Sequence, residues 1–398
     1  DAWGLWAQHW VDSVGTVDGK GSNNWTLAGE RTTSGRPLLA NDPHLGLNAP
    51  AIWYFASLQA PAGTRADGAT HPALKVMGAT LPGLPFVVLG RTDQVAWGFT
   101  NTGPDVQDLY IERIHPNDPN LYQTPTGWER WQTRAQTIKV KGQADVLYTA
   151  RSSRHGPVIS DAVPSHAKVL DLQRHVLALR WSALEEDNQT VLAGLLGNEA
   201  RDVDSLFAAF AHHHSPMQNV VAADVHGHIG YKAIGRTPLR SLDNDLRGVA
   251  PAPGWLAKYD WQGWRAYEDN PQDSGLRGWI ATANQRVESA GALRPLTADW
   301  SLPYRYQRIA DQLQARERHD VRSMQSLQND LHSNAMLKLW PHLLNTQAQH
   351  PLAGAAMAEL KRFDGSMAAD QAAPLIGAVW VDELVRGIIA PRIGAARF

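Results

Sequence analysis

The sequence predicts an α+β fold, in which strands come first along the chain and helices come later. Up to about residue 160 the chain alternates β-rich segments with glycine and proline turns, as in "HPALKVMGATLPGLPFVVLGRTDQVAWGFTNTGPDVQDLYIER". Amphipathic helix patterns follow after residue 200, in "DVDSLFAAFAHHH" and "DVRSMQSLQNDLHS". Segregation of this kind favours an α+β fold over alternating βαβ units.

Composition restricts the class of protein. The 398 residues are 43% hydrophobic and 19% charged, which is typical of a globular chain with one large core or two or three domains. A net charge of −2 gives no reason to expect nucleic acid or an anionic membrane as a partner. The absence of cysteine excludes disulfides, thiolate zinc sites and a cysteine nucleophile. No apolar run approaches 18 residues, so we expect no membrane span.

The first strands follow a glycine-containing run, Gly15 to Gly21, whose composition indicates a linker. Trp25 and Leu27 predict one strand, and Leu38–Leu39 predict the next after the turn "TTSGRP". A third, aromatic strand "AIWYFASLQAP" ends at Pro61. A loose linker therefore runs directly into a sheet.

Later elements have clearer boundaries. The stretch "NVVAADVHGHIGYKAIG" predicts a hairpin with its turn at His226–His228. The helix in "DVDSLFAAFAHHH" can begin at Asp202 or Asp204, and Asp320 is the expected N-cap of the helix in "DVRSMQSLQNDLHS".

Two histidine patterns offer a metal site only superficially. His212–His214 are consecutive, and consecutive residues do not share a helical face. Asp224, His226 and His228 have the alternate spacing of zinc ligands on a strand, but Gly227 indicates a tight turn. A metal-dependent hydrolase that uses His226 and His228 stays open as an alternative.

Sixteen tryptophans raise another possibility, because such rings are stacking platforms in binding proteins. Trp53, Trp97 and Trp380 stand in apolar runs, which favours core packing. A non-catalytic, tryptophan-rich periplasmic ligand-binding domain is the second alternative.

Ser22 stands where the linker meets the first strand, and the sequence has no Gly-x-Ser-x-Gly motif. Cleavage between Gly21 and Ser22 would give one residue both a hydroxyl and an α-amine whose reference pKa is about 7.7–8.0. That amine could accept the hydroxyl proton. Glycine, which tolerates strain, would let the Ser22 hydroxyl reach the preceding carbonyl and cut the chain itself. From the residues alone, a turn residue entering a strand is the other interpretation.

Five segments together resemble the penicillin acylase family of N-terminal-nucleophile amidases. The run "GSNNWTLAGERT" through "GRPLLANDPHLGLNAP" is similar to the start of the family's β-chain. The segments "MGATLPGLPFVVLGRTDQVAWGFTNTGPDVQDLY", "ADVHGHIGY", "GWIATANQRV" and "YRYQRIADQL" follow in the expected order, so the resemblance runs from about Gly21 to at least Gln314. It implies an N-terminal-nucleophile hydrolase fold, an αββα four-layer sandwich.

The resemblance also implies a precursor cut into a small α-chain and a large β-chain, often in the periplasm. Residues 1–21 would be the α-chain end or a spacer, and residues 22–398 the β-chain with a helical insertion from about 305. We expect most of the α-chain, the partner in an αβ heterodimer, and a C-terminal part of the β-chain to be missing from this sequence.

The family roles fall on five residues. After cleavage Ser22 would attack a substrate amide, with its own amine as base. Asn284, through its side-chain NH₂, and Asn101, through its backbone N–H, match the donors of the oxyanion hole. Arg305 matches the arginine that orients the amine, although its segment also fits an amphipathic helix with surface arginines. His44 is expected to contact the amine or the substrate.

The segment "GPDVQD" matches a structural calcium site of the family, which also takes an α-chain glutamate. Its ligands here would be Asp105, the Gln107 carbonyl, Asp108 and Asp299, oxygen donors that suit calcium. Turn capping by the two aspartates of "GPDVQD" is an equal alternative. No cofactor is expected for catalysis.

Leu45, Leu89 and Phe99 match positions that line the family's acyl pocket, and all three are apolar. Phe99 stands where phenylacetyl-preferring enzymes have a small residue, so the pocket should differ in shape. The sequence thus predicts a self-processed serine amidohydrolase that cleaves N-acyl compounds, either β-lactam antibiotics or acyl-homoserine lactones, through an acyl-enzyme on Ser22.

Overall fold

The computed structural model describes residues 21–46, 49–64, 66–347 and 349–394. Residues 1–20, which hold most of the predicted linker and α-chain segment, lie outside these ranges. The described strands are β1 (Gly21–Leu27), β2 (Leu38–His44), β3 (Tyr54–Ala60), β4 (Gly63–Thr64), β5 (Thr70–His71), β6 (Leu74–Thr80), β7 (Leu89–Thr92), β8 (Val95–Asn101), β9 (Gln107–His115), β10 (Asp118–Thr124), β11 (Gly127–Arg130), β12 (Gln132–Ile138), β13 (Val146–Ser153), β14 (Gly156–Pro157), β15 (His175–Trp181), β16 (Gln218–Asp224), β17 (Ile229–Ile234), β18 (Pro238–Arg240), β19 (Ala252–Pro253), β20 (Trp261–Trp264), β21 (Gln272–Asp273) and β22 (Trp279–Thr282). The described α-helices are α1 (Thr190–Asn198), α2 (Val203–Phe210), α3 (Tyr304–Gln314), α4 (Val321–Gln328), α5 (Asn334–Leu344), α6 (Ala353–Leu360) and α7 (Ala372–Ile393).

The strand that carries Ser22 is the middle strand of a three-stranded antiparallel sheet, in the order β2-β1-β22. Ser22 lies opposite Pro43 of β2, and Asn24 lies opposite Thr282 of β22. Trp25 is 1% exposed on one face of β1, whereas the neighbouring residues point to the other face. The predicted first strand is confirmed, and it begins at Gly21.

A seven-stranded antiparallel sheet lies next to this small sheet. Its order is β21-β17-β16-β8-β7-β6-β3, which leaves β3 at one edge. Strands β16 and β17 form the predicted hairpin, with Ala223 opposite Ile229 at its end. The Asp224 carboxylate accepts the backbone N–H groups of His226 and His228 and so closes the turn.

The two sheets pack face to face between two layers of helices. Between the sheets, Val221 and Tyr231 pack with Ile280 of β22. Helices α1 and α2 cover the outer face of the large sheet in the core cluster that contains Trp97, while α3 and α4 cover the small sheet in the cluster that contains Trp25. The chain thus forms the four αββα layers that the resemblance implied.

Both helix starts predicted from aspartates are confirmed. The Asp202 side chain accepts the Ser205 N–H at the start of α2, and the Ser205 side chain completes a capping box. Asp320 does the same with Ser323 at the start of α4. These caps fix where the two outer helical layers begin.

The remaining segments lie outside the sandwich. A five-stranded sheet has the order β11-β10-β9-β15, with β19 parallel to β9. Helices α5 to α7 pack around Trp340, Leu343 and Leu360. The helical part after about residue 305 is thus divided, because α3 and α4 are the fourth layer and only α5 to α7 form a separate cluster. None of the described helices has the length and apolar character that crossing a membrane requires.

Candidate active site

Three strand ends bring the predicted catalytic residues together. Ser22 is the second residue of β1, and Asn284 lies two residues after the end of β22. Because β1 and β22 are antiparallel, the start of one lies beside the end of the other. Asn101 ends β8 in the facing sheet and comes within reach of Asn284. Residues far apart in sequence therefore meet at one rim of the sandwich.

Asn284 is the centre of this arrangement. Its Oδ1 accepts the Ser22 backbone N–H at 2.8 Å, and its Nδ2 donates to the Asn101 carbonyl at 2.7 Å. The second Nδ2 hydrogen is left over for another acceptor. Asn284 has a φ of 64°, in the left-handed region that asparagine tolerates better than most residues. Asn284 thus links strand β1 to Asn101.

Arg305 reaches Ser22 from helix α3. Its Nη1 donates to the Ser22 carbonyl at 2.9 Å and to Asn23 Oδ1 at 2.8 Å, and its Nη2 donates to Asn284 Oδ1 at 3.0 Å. Burial lowers the pKa of this guanidinium, and the charge of Asp42 opposes that shift. Arg305 is therefore part of the site and not a surface residue of an amphipathic helix.

Gly21 leaves room for the Arg305 side chain, which differs from the reason expected. A Cβ at this position would lie 2.9 Å from the Arg305 guanidinium carbon, and the backbone lies outside the left-handed region. Space for Arg305, and not a strained backbone, therefore explains the glycine before Ser22.

His44 ends β2 directly opposite Gly21. Its Nδ1 lies 3.7 Å from Asp42 Oδ2, and more than half of its side chain is exposed. The structure therefore places His44 beside the predicted cleavage bond, where its ring faces Asp42.

A largely apolar cavity of about 350 Å³ opens at Ser22. Leu45, Leu89 and Phe99, the three predicted acyl-pocket residues, all line it, together with Asn101. The wall is completed by the segment between β6 and β7, by residues of α1 and α2 and by the turn after α2, among them Leu81, Leu84, Phe86, Gly194, Phe210 and His213. A ligand whose apolar part is bound in this cavity would place its polar end beside Ser22.

A buried network of side-chain amides next to Ser22 was not predicted. Asn24 Nδ2 donates to the Gly98 carbonyl at 3.0 Å and to the Asn219 carbonyl at 3.3 Å. Asn41 pairs with both backbone groups of Phe99, at 3.0 Å and 2.9 Å. These amides tie the two sheets together next to Ser22, and their signal in the sequence is the asparagines of "SNNW" and "LLAND".

The expected calcium ligands do not fit a metal site. The Asp108 carboxylate binds Arg240 at 2.5 Å and 3.0 Å and the Trp261 Nε1 at 2.7 Å. Arg240 also donates to the Asp105 carbonyl at 2.8 Å. Among the described residues no group of three histidine, cysteine or acidic side chains could hold a metal ion. The Arg240 guanidinium therefore stands where the resemblance implied a calcium ion.

Gln107 and Asp299, the two remaining expected calcium ligands, lie in a strand and a turn. Gln107 opens β9, where its backbone pairs with Trp181. Asp299 donates its N–H to Thr297 Oγ1, whose hydroxyl donates to an Asp105 carboxylate oxygen. Burial raises the pKa of Asp105, and the nearby Asp299 charge adds to that shift. These groups form a hydrogen-bonded turn.

The histidines of the two candidate metal patterns make contacts within the protein. His212 Nδ1 forms a hydrogen bond with Gln189 Oε1 at 2.6 Å, and His213 Nε2 forms one with the Pro216 carbonyl oxygen at 2.7 Å. The rings of His226 and His228 are 6.5 Å apart on the hairpin turn that Asp224 closes. The metal-hydrolase alternative therefore lacks a ligand set in the described part of the chain.

Comparison with known proteins decides the family. A sequence model of the family named penicillin amidase matches residues 3–398. The chain belongs to this family. Its fold is also similar to that of a thermostable penicillin G acylase from Alcaligenes faecalis, with a TM-score of 0.76 and 25% identity. That match covers 94% of this chain and 66% of the other.

Two curated relatives of this penicillin amidase family member are acylases. The acyl-homoserine lactone acylase QuiP of Pseudomonas aeruginosa is 30% identical over 94% of this chain and 44% of its own length. The penicillin acylase 2 proenzyme of Pseudomonas sp. strain SE83 is 33% identical over 75% of this chain and 36% of its own length. The chain thus spans less than half the length of these relatives.

Proposed function

We propose that the protein containing this chain hydrolyses the amide bond of N-acyl compounds through an acyl-enzyme on Ser22. The observation that carries the proposal is the hydrogen bond from the Ser22 N–H to Asn284 Oδ1. Arg305 also donates to this oxygen, and Ser22 lies at the mouth of an apolar cavity. Once the Gly21–Ser22 bond is cut, that nitrogen becomes a free amine beside the Ser22 hydroxyl.

The reaction follows from this geometry. The neutral amine takes the hydroxyl proton while Oγ attacks the acyl carbonyl carbon, which gives a tetrahedral oxyanion. The spare Nδ2 hydrogen of Asn284 and the N–H of Asn101 are the donors for that oxygen. The ammonium then gives its proton to the leaving amine as the C–N bond breaks. Water attacks the ester by the same route and releases the carboxylic acid and free Ser22.

The cavity selects the acyl group. Its apolar lining favours an aliphatic or aromatic acyl chain, and the leaving amine stays outside at the rim. The named relatives act on acyl-homoserine lactones and penicillins, so these two classes are the first substrates to test. Phe99 packs edge-on against Phe210 at 5.7 Å and narrows the pocket on that side.

We further propose an αβ heterodimer in which the polypeptide released from before Ser22 stays bound. Edge strand β3 exposes Phe55 by 90% and Tyr54 by 47%, and the adjoining cavity wall includes Trp53. Exposed apolar edge strands are normally covered. The word proenzyme in one relative's name is in keeping with a chain that is cut. A periplasmic location stays a prediction.

Intact mass under denaturing conditions tests the proposal on the complete protein. The wild type should give a product that begins Ser-Asn-Asn-Trp. Ser22→Ala should remain uncut and hydrolyse neither an acyl-homoserine lactone nor penicillin G. Ser34→Ala, in an exposed turn, is the matched control and should be cut and active. Turnover by uncut Ser22→Ala would refute the mechanism.

A further inference from the structure

Asp42 is an acidic residue beside the nucleophile to which neither the family resemblance nor the mechanism above gives a role. It lies in β2, directly opposite Asn23 of β1. Asn23 Nδ2 donates to Asp42 Oδ2 at 2.9 Å. The other oxygen, Oδ1, is buried and has no hydrogen-bond partner in the described part of the chain. A carboxylate buried in this way is costly unless a cation balances it.

The balancing cation is Arg305. Asn23 joins the two charged groups, because its Oδ1 accepts from Arg305 Nη1 at 2.8 Å while its Nδ2 donates to Asp42. Only one orientation of the Asn23 amide satisfies both neighbours. A hydrogen-bonded line therefore runs from Asp42 through Asn23 to Arg305, and from there to the Ser22 carbonyl and Asn284 Oδ1.

Few other charges face this carboxylate. From β2 itself His44 approaches to 3.7 Å, from α3 comes Arg305, and β1 contributes only the neutral Asn23. Burial raises the pKa of Asp42, while the Asn23 hydrogen bond and the charges of His44 and Arg305 lower it. His44 is largely exposed, so Arg305 is the cation that stays fixed in place.

We propose that Asp42 is a positioning residue of the acylase site: as the counter-ion of Arg305, it sets how strongly the Ser22 amine holds a proton. This inference rests on the proposed function, in which the amine is the base. Arg305 disfavours an ammonium at Ser22, and the negative charge of Asp42 offsets part of that repulsion. Without the Asp42 charge the ammonium is less stable, so the amine loses its proton at a lower pH.

Asp42→Asn removes the charge and keeps an oxygen that can accept from Asn23. The measurement is the pH profile of kcat/KM for the complete, processed protein with an acyl-homoserine lactone. We expect the acid limb, which reports the amine, to move to lower pH by about half to one unit. A merely structural residue would lower the rate without moving the limb. Asp93→Asn, at an exposed position paired with Lys75, is the matched control and should leave the profile unchanged.

Asp42→Glu restores the charge and should return the limb toward its wild-type position. Intact mass confirms for each variant that cleavage before Ser22 has taken place. A processed Asp42→Asn enzyme whose acid limb is unmoved, or moves to higher pH, overturns this inference alone. An active Ser22→Ala or an uncut active wild type overturns the proposed function instead, so the two failures can be told apart.

Discussion

The guanidinium of Arg305 occupies the space that a Cβ would need on Gly21, the residue just before Ser22. A side chain at position 21 would meet the guanidinium carbon at 2.9 Å, while the same group binds the Ser22 carbonyl at 2.9 Å. The absence of a side chain at Gly21 thus allows Arg305 to bind the Ser22 carbonyl.

Gly21→Ala should slow self-cleavage, because the added methyl group pushes Arg305 off the Ser22 carbonyl. We expect processing to be about 10- to 100-fold slower, the order of loss that small misplacement of a reacting group causes. Time courses of intact mass measure this rate. Gly354→Ala, where an added Cβ meets nothing within 4 Å, should process normally.

The same variant has a second expected property. Once Gly21→Ala has been cut, position 21 no longer precedes Ser22 in the β-chain, so kcat should equal that of the wild type. A lowered kcat in fully processed enzyme would mean that residue 21 acts in turnover as well.

Asn284→Ala removes the proposed donor to the oxyanion and also the oxygen that accepts the Ser22 N–H. We expect kcat to fall by about 10²–10³-fold. Asn101→Ala is the matched comparison, since it keeps the backbone N–H and loses only a side-chain contact to Gly103. Its kcat should stay within about threefold of wild type. Equal losses in steady-state kinetics would contradict separate side-chain and backbone donors.

Arg240 should replace calcium as the cation at Asp108. Chelation with EDTA is therefore expected to leave the Tm of the complete protein unchanged. Arg240→Met leaves a carboxylate that is 5% exposed without its ion partner, at a cost of about 3–5 kcal/mol in the free energy of unfolding. The double variant Arg240→Met/Asp108→Asn should recover part of that loss. A Tm that falls on chelation would restore the calcium hypothesis.

Acid should destabilise the fold through His213. Burial lowers the pKa of this histidine to about 4 from an ordinary 6.5. Between these values the unfolded chain binds a proton that the folded chain does not, so stability is complete above pH 6.5 and falls as the pH drops. The loss is about 1.4 kcal/mol per unit, or about 3 kcal/mol by pH 4.

His213→Gln keeps a donor for the Pro216 carbonyl and cannot titrate. Denaturant midpoints between pH 4 and 7 should therefore depend less steeply on pH in this variant than in the wild type. His342→Gln, at an exposed position, should follow the wild-type curve. Identical slopes for His213→Gln and wild type would place the acid sensitivity elsewhere.

Sequence and structure agree best where the signal is local. The strand after the linker, the hairpin turn at His226–His228 and the caps at Asp202 and Asp320 were predicted from a few neighbouring residues, because turn and cap chemistry acts over short distances. Ser22 was a candidate from the linker that precedes its strand, but only the family resemblance separated it from an ordinary turn residue. The oxyanion donors needed the family resemblance, since Ser22 and Asn284 are 262 positions apart.

Partners that are distant in sequence are what the residue patterns did not indicate. The Asp108 carboxylate has the oxygen atoms that a calcium ligand needs. The residues near it in sequence give no sign that it pairs with Arg240, which is 132 positions away. Asp42 stands in "NDPH", a pattern typical of a turn, and only the pairing of β1 with β2 brings it to Asn23. Charge compensation inside a folded chain is set by tertiary contacts, which local patterns do not encode.

The position of Ser22 in the central strand of the small sheet also bears on maturation. Of the three residues at the start of β1, only Gly21, paired with His44, precedes the bond to be severed. Strand β22 joins β1 only from Asn24 onward. Within the described residues, the proposed cleavage would therefore remove one residue pair from the small sheet and leave all four layers in place, so activation of Ser22 would require no refolding of this part of the chain.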